Sequence, residues 1–287
     1  SAPICSGGSC GPFQRVPFAF LDQAEQNASP GKVGYFLRIP SPFFMAYARR
    51  YLRFPSQILG REMEMLHFGH HGYPLICLPT SNGRFFDLED RGIIASLSHH
   101  LEQGYLQAFC VETLDWETLF NRQLDLPQRR DRWLLLEQHW VEELIPYAKA
   151  EAQNEFLVVA GFSLGATHAV NLTCRHPGLV RRCLALGGPY DVAALGSITG
   201  WDPQRAEQEL YFINPLAYMS NMSRQLWDHL GGRNTELKLL TARHDHCLSD
   251  NLRLAEVLSR NNIPHQLEVW EGDHDWPTWQ AQIRAFA

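Results

Sequence analysis

The stretch from Glu155 to Arg175 constrains this chain more than any other. An apolar, partly β-branched run, Phe156-Leu157-Val158-Val159-Ala160, ends in Gly161-Phe162-Ser163-Leu164-Gly165. A helix-forming segment then runs from Leu164 to about Arg175, stopping before Pro177. A serine between a strand and a helix occupies a turn too sharp for ordinary flanking side chains. Glycines two positions away on either side remove the Cβ atoms that would collide. Such a turn lifts Ser163 above the sheet edge and aims a helix N-terminus at the point where negative charge would develop. At an average glycine usage of about 7%, the five-residue pattern alone arises by chance in roughly one chain in ten of this length. The strand before it and the helix after it therefore carry the weight.

Strand and helix patterns alternate from residue 61 onward. Strands are expected at 62–68, 73–78, 105–112, 155–160, 182–186, 236–240 and 266–270. Helices are expected at 88–103, 164–175 and 252–260, in the tail from Trp276, and in a long segment up to Pro146 with Trp133, Leu136, Trp140, Leu144 and Ile145 on one face. Short continuous apolar strands separated by helices predict an α/β fold with a mostly parallel central sheet covered on both faces. Residues 187–235 break the rhythm with Gly187-Gly188-Pro189, Gly196, Gly200-Trp201 and Asn214-Pro215, and read as a cap-like insert. Residues 1–60 read as an N-terminal arm or extension to a catalytic domain at 61–287. Within the arm, Phe43 to Arg53 is expected as a short helix after Pro42, packing on its own domain or linking a homo-oligomer.

Serine is a poor nucleophile until a base takes its proton, and the base needs an acid to hold it. Strand 237–240 is followed by Thr-Ala-Arg-His-Asp245-His-Cys, and strand 267–270 by Glu-Gly-Asp-His274-Asp-Trp-Pro. Asp245 and His274 thus fall at strand carboxyl ends in the chain order serine, acid, histidine. Asp250 is the alternative acid, whereas Asp273 and Asp275 are too close to His274 in sequence. The backbone N–H of Leu164 is one expected oxyanion donor. The second is expected from the loop Pro79-Thr80-Ser81-Asn82-Gly83-Arg84, with Ser81 first and Asn82 next. Trp201, Tyr211, Trp276 and Trp279 are candidate pocket walls.

The net charge of −6 argues against a nucleic-acid partner. No run approaches the roughly 18 apolar residues that span a bilayer, so a membrane span is not expected. Seven cysteines show no paired metal spacing. Cys77 and Cys110 read as small buried hydrophobes, Cys5 and Cys10 could pair, and the balance favours a reducing, cytoplasmic setting. The opening Ser1-Ala2-Pro3 is compatible with a removed leader or an added tag. The adjacent pairs His70-His71 and His99-His100 would point to opposite faces, and His244 with His246 has no evident third ligand. Neither a metal nor another cofactor is expected.

Taken together, these residues resemble the putative-esterase branch of the α/β hydrolases, which includes esterase D, feruloyl esterases and the mycolyltransferases. The resemblance covers roughly 60 to 287 and rests on Gly161-Phe-Ser-Leu-Gly-Ala-Thr-His-Ala, Arg175-His-Pro177, the Asp245 loop and His274-Asp-Trp-Pro-Thr-Trp279. Bacterial esterase-like proteins are similar also at Pro79-Thr-Ser-Asn-Gly-Arg-Phe-Phe86 and Asn214-Pro215. The resemblance implies an α/β-hydrolase fold, a triad at Ser163, Asp245 and His274, and a small-molecule acyl ester or thioester cleaved through an acyl-enzyme. Many relatives carry His-Gly where this chain has Pro79-Thr80-Ser81. The same triad would serve acyl transfer, and a non-catalytic binding protein on this fold is the reading from another class.

Overall fold

In the computed structural model, which describes residues 47–287, eight strands form one sheet in the order β1-β2-β4-β3-β5-β6-β7-β8. They are β1 (Arg49–Ser56), β2 (Arg61–Phe68), β3 (Tyr73–Leu78), β4 (Leu106–Val111), β5 (Val158–Phe162), β6 (Arg182–Leu186), β7 (Glu236–Ala242) and β8 (Gln266–Trp270). β2 pairs antiparallel with β1 and β4, and every other pairing is parallel. This is the α/β-hydrolase architecture. The strand order reverses between β3 and β5, and the crevice at the carboxyl ends of such neighbours is where open α/β sheets place their chemistry.

The central strands read as continuous apolar runs because both of their faces are covered. Leu75 and Cys77 of β3 point into one core with Leu66, Phe68, Cys110, Phe162 and Leu186, whereas Ile76 and Leu78 point into the other with Met65, Phe109 and Val159. That two-residue alternation is the pleat. Each large side chain fully buried in this way contributes about 1.5–3 kcal/mol. The first core is covered by the short helices α1 (Asp87–Asp90), α2 (Ile93–Ser96) and α3 (Ser98–Glu102), with α12 (Trp276–Phe286) beside them. The second is covered by α4 (Leu126–His139), α5 (Ile145–Ala152), α6 (Leu164–Arg175) and α11 (Leu248–Arg260).

Several expectations need correction. Residues 49–53, expected as part of a helix, are strand β1. Its antiparallel register with β2 (Arg49 opposite Phe68, Ser56 opposite Arg61) satisfies the backbone, so the sheet begins before residue 61. Tyr47 and Ala48 of that expected helix are not helical either, and its residues 43–46, like the Cys5–Cys10 pairing and the rest of 1–46, lie outside the described residues. The single helix expected at 88–103 is three short pieces, with Gly92 in the left-handed region at φ 75°. The long helix does not stop at Pro146. It passes through a π-helical stretch, Trp140–Leu144, and resumes with Pro146 in the first turn of α5, where the missing N–H costs little.

Residues 187–235 lie between β6 and β7. They hold four short helices, α7 (Gly196–Thr199), α8 (Pro203–Glu209), α9 (Pro215–Tyr218) and α10 (Arg224–His229), joined by 3₁₀ turns. Val192, Ala193, Ala206, Leu210 and Ile213 of this insert pack in one apolar cluster with Leu164, Leu119 and Trp133. Cys77, Cys110, Cys174, Cys183 and Cys247 are free and buried. Among the described residues, no helix is long and apolar enough to cross a membrane.

Candidate active site

Ser163 lies between β5 and α6 with φ 54° and ψ −122°, a conformation a non-glycine residue holds only under strain. The reason is the closeness of the two elements. A Cβ on Gly161 would stand 2.0 Å from the Gly165 carbonyl oxygen, and one on Gly165 would stand 2.2 Å from the Pro79 carbonyl oxygen. Both glycines are therefore required, the first to let the helix fold back on the strand and the second to let it touch the end of β3. Ser163 N–H donates to the Leu186 carbonyl at 2.8 Å, which ties the turn to the neighbouring strand.

Three expected residues come together at that point. Ser163 Oγ–H donates to His274 Nε2 at 2.9 Å, and His274 Nδ1–H donates to Asp245 Oδ1 at 2.8 Å. Asp245 follows β7, and His274 lies just ahead of α12, whose first turn is capped by Asp275 accepting from Thr278 N–H. Asp245 is buried and accepts two further hydrogen bonds, from Cys247 N–H at 2.7 Å and Thr241 Oγ1 at 3.2 Å. Burial pushes its carboxyl upward, but the His274, Cys247 and Thr241 hydrogen bonds outweigh that and hold it below the usual carboxylate range. It therefore faces the imidazole as an ionised acceptor at neutral pH. Asp250, the alternative acid, instead accepts from Asp191 N–H and pairs with Arg253.

Two further contacts support this constellation, and the sequence pointed to Trp279 but not to Gly187. Gly187, with φ 62°, lies against Asp245 and His274, and a Cβ there would meet Asp245 Oδ2 at 2.7 Å and His274 Nδ1 at 3.3 Å. The Trp279 ring meets the His274 ring edge-on with centroids 4.8 Å apart. The only sequence signal for Gly187 is its place directly after β6. His246 and Cys247 also gather beside His274, the three offering ligand atoms within 4.8 Å of one another. Both His274 ring nitrogens are already engaged, so a cation there would have to displace Ser163 or Asp245. Burial, then the neighbouring Asp245 and Asp250 charges, push the Cys247 thiol up to about 12.

The oxyanion candidates separate clearly. Leu164 N–H is in the first turn of α6, and that of Ser81 is in a turn closed by Gly83 N–H donating to the Thr80 carbonyl at 2.8 Å. Asn82 N–H is already committed, donating to Asp115 Oδ2 at 2.9 Å, which removes it as an alternative donor. Of the expected pocket walls, Trp279 lies against His274, and the other three have different surroundings. Trp276 packs on Phe162 and Trp279 with the Arg91 guanidinium over its ring. Trp201 donates to the Ala193 carbonyl and packs on the cluster containing Leu164. Tyr211 lines a cavity of about 680 Å³ with Asp191, Phe212, Asn214 and Arg253, and no triad residue belongs to that lining.

Comparison with known proteins bears on the family and the fold. The family model described as "Putative esterase" matches residues 112–286. A solved ferulic acid esterase superposes with a TM-score of 0.65 at 16% identity, over 84% of this chain and 96% of its own. An S-formylglutathione hydrolase from Agrobacterium tumefaciens gives 0.62 at 15% identity, over 86% and 95%. A ferulic acid esterase from Anaeromyces mucronatus, solved with ferulic acid, gives 0.59 at 13%, over 84% and 89%. No curated protein sequence matches the chain.

Proposed function

Because this chain belongs to the putative esterase family and is an enzyme of carboxylesterase type, we propose that it cleaves an ester or thioester through an acyl-enzyme formed on Ser163. The observation that carries the reading is the continuous relay from Ser163 Oγ through His274 to Asp245, at 2.9 and 2.8 Å. His274 takes the serine proton as Oγ attacks the acyl carbonyl, and Asp245 holds the ring in the tautomer that leaves Nε2 free to accept. Leu164 N–H and Ser81 N–H stabilise the oxyanion of the tetrahedral intermediate. His274 then returns the proton to the leaving alcohol or thiol. Water attacks the acyl-enzyme with His274 again as base, and Ser163 is released.

The strained backbone at Ser163 supports this reading, since a structural serine has no need of the φ 54° turn that presents its hydroxyl. Acyl transfer would use the same residues with an alcohol or amine in place of water. The test is intact-mass spectrometry after treatment with a fluorophosphonate. A single adduct on the wild type and none on Ser163→Ala is expected, with the variant losing hydrolysis of p-nitrophenyl acetate by at least about three orders of magnitude. A folded wild type that takes no adduct would return the non-catalytic binding protein to first place.

A further inference from the structure

Beside the candidate oxyanion loop lies a second acid–imidazole pair that the proposed reaction does not use. Asp115, in the loop after β4, is fully buried. Three donors from three elements converge on its carboxylate. Asn82 N–H reaches Oδ2 at 2.9 Å from the loop after β3, and Thr113 Oγ1 reaches Oδ2 at 2.6 Å from its own loop. His168 Nε2 reaches Oδ1 at 2.7 Å from α6, the helix that begins at Leu164. The His168 ring is held face-on by Trp133 at 3.7 Å and edge-on by Trp140 at 5.1 Å. Its Nδ1 is buried without a partner, so the ring is retained there for the bond at Nε2. Leu114 and Asn82, one on each side of this junction, are both in the left-handed region, at φ 50° and 58°. Backbone strain at a buried leucine persists only where surrounding contacts over-determine it.

We infer that Asp115 is a positioning residue that fixes the two oxyanion donors relative to each other, with His168 as its anchor on the nucleophile helix. The Thr80–Ser81 peptide is trans, as is every peptide bond among the described residues, so its carbonyl and its N–H point in opposite directions. Gly83 N–H holds the Thr80 carbonyl, and Asp115 holds the next N–H, that of Asn82. With both neighbours fixed, the Ser81 N–H has one direction left. The same carboxylate grips α6 one turn beyond Leu164, so the second donor is tied to the first through Oδ2, Oδ1 and Nε2. The loop Pro79-Thr80-Ser81 is thus set by this buried acid. Donors held in place before the reaction act without reorganisation, and a displacement of about 1 Å costs about 100-fold in rate.

The inference rests on the reading of Ser163 as nucleophile with Leu164 and Ser81 as oxyanion donors. Its test compares wild type, Asp115→Asn, His168→Leu and His168→Gln in p-nitrophenyl acetate hydrolysis. The same proteins are titrated with an aryl trifluoromethyl ketone, whose adduct with serine places an anionic oxygen in the oxyanion site. Asp115→Asn is expected to lower kcat about 10- to 100-fold with KM within about twofold, and to weaken the ketone by the same factor. His168→Leu should follow it, while His168→Gln, which keeps a donor near the Nε2 position, should recover most of the loss. A folded Asp115→Asn with unchanged kcat and unchanged ketone affinity overturns the inference. If that variant does not fold, the two His168 variants decide, and equal activities in them overturn it. Failure of the underlying reading is visible separately, as a wild type without a Ser163 adduct or a Ser163→Ala variant that keeps its activity.

Discussion

The loops on the two sides of Ser163 are built on different principles. On one side, β6, β7 and β8 deliver Gly187, Asp245 and His274 in a single line of direct contacts to the serine. On the other, β3, β4 and α6 deliver backbone N–H groups whose directions are set at one remove, through Asp115 and His168. The first side works through side chains, so its identity is written in residue types. The second works through peptide orientation, so any residue but proline could stand at Ser81, and the determinant is a buried acid more than thirty positions away.

Breaking the direct side should cost the most. Asp245→Asn leaves the shape intact but offers His274 an amide, which favours the wrong tautomer. A loss in kcat of about 10⁴-fold is expected, with unchanged far-ultraviolet circular dichroism. A loss below tenfold would show that another group orients the ring. Gly187→Ala comes next, because the new methyl meets Asp245 Oδ2 at a position where φ is 62°. It should lower kcat about 10- to 100-fold and destabilise the fold by about 1–3 kcal/mol in urea titration, and wild-type behaviour would mean the pair can slide without penalty.

A smaller effect concerns stability rather than rate, and lies away from both sides. His67 stacks on Phe109, and its ring nitrogens are hydrogen-bonded to the Gln107 amide oxygen and the Arg50 guanidinium. Burial, then the nearby Arg50 charge, hold it down to about 4 from an ordinary 6.5. The folded chain keeps the ring neutral, while the unfolded chain protonates it near 6.5. Its contribution is therefore complete above about pH 6.5 and is lost as pH falls towards 4, by about 2–3 kcal/mol at most. His67→Gln should flatten the pH dependence of unfolding free energy across that window, and an unaltered slope would assign it to other groups. Smallest of all, Tyr211→Ala should change kcat/KM for p-nitrophenyl acetate less than about twofold, since its cavity holds no triad residue. A tenfold change would join that cavity to the site and undo the division drawn between the two flanks and the rest of the insert.

Legibility followed the same division. The glycines at 161 and 165 announced the turn because close approach leaves no alternative residue, and Asp245 and His274 were placed by their positions after strands. Trp201, Tyr211 and Trp276 were chosen for being aromatic in or near the insert, a criterion that does not separate a pocket wall from a core residue. Residues 49–53 looked helical because their arginines and aromatics fit an exposed helical face equally well. They also fit an edge strand, where charged side chains blunt an open edge.

The sequence by itself determined the α/β layering and the turn at Ser163, because both follow from local constraints: apolar period, strand length and the absence of Cβ atoms. It also determined the order of Ser163, Asp245 and His274 along the chain. Only the tertiary structure decided that Gly187 packs on Asp245 and His274, that Asn82 N–H is spent on Asp115, and that His168 of α6 is joined through Asp115 to the loop after β3. Those are contacts between strand ends that the chain separates by dozens of residues, and hydrogen-bond direction is a property of the assembled sheet that no window of sequence contains.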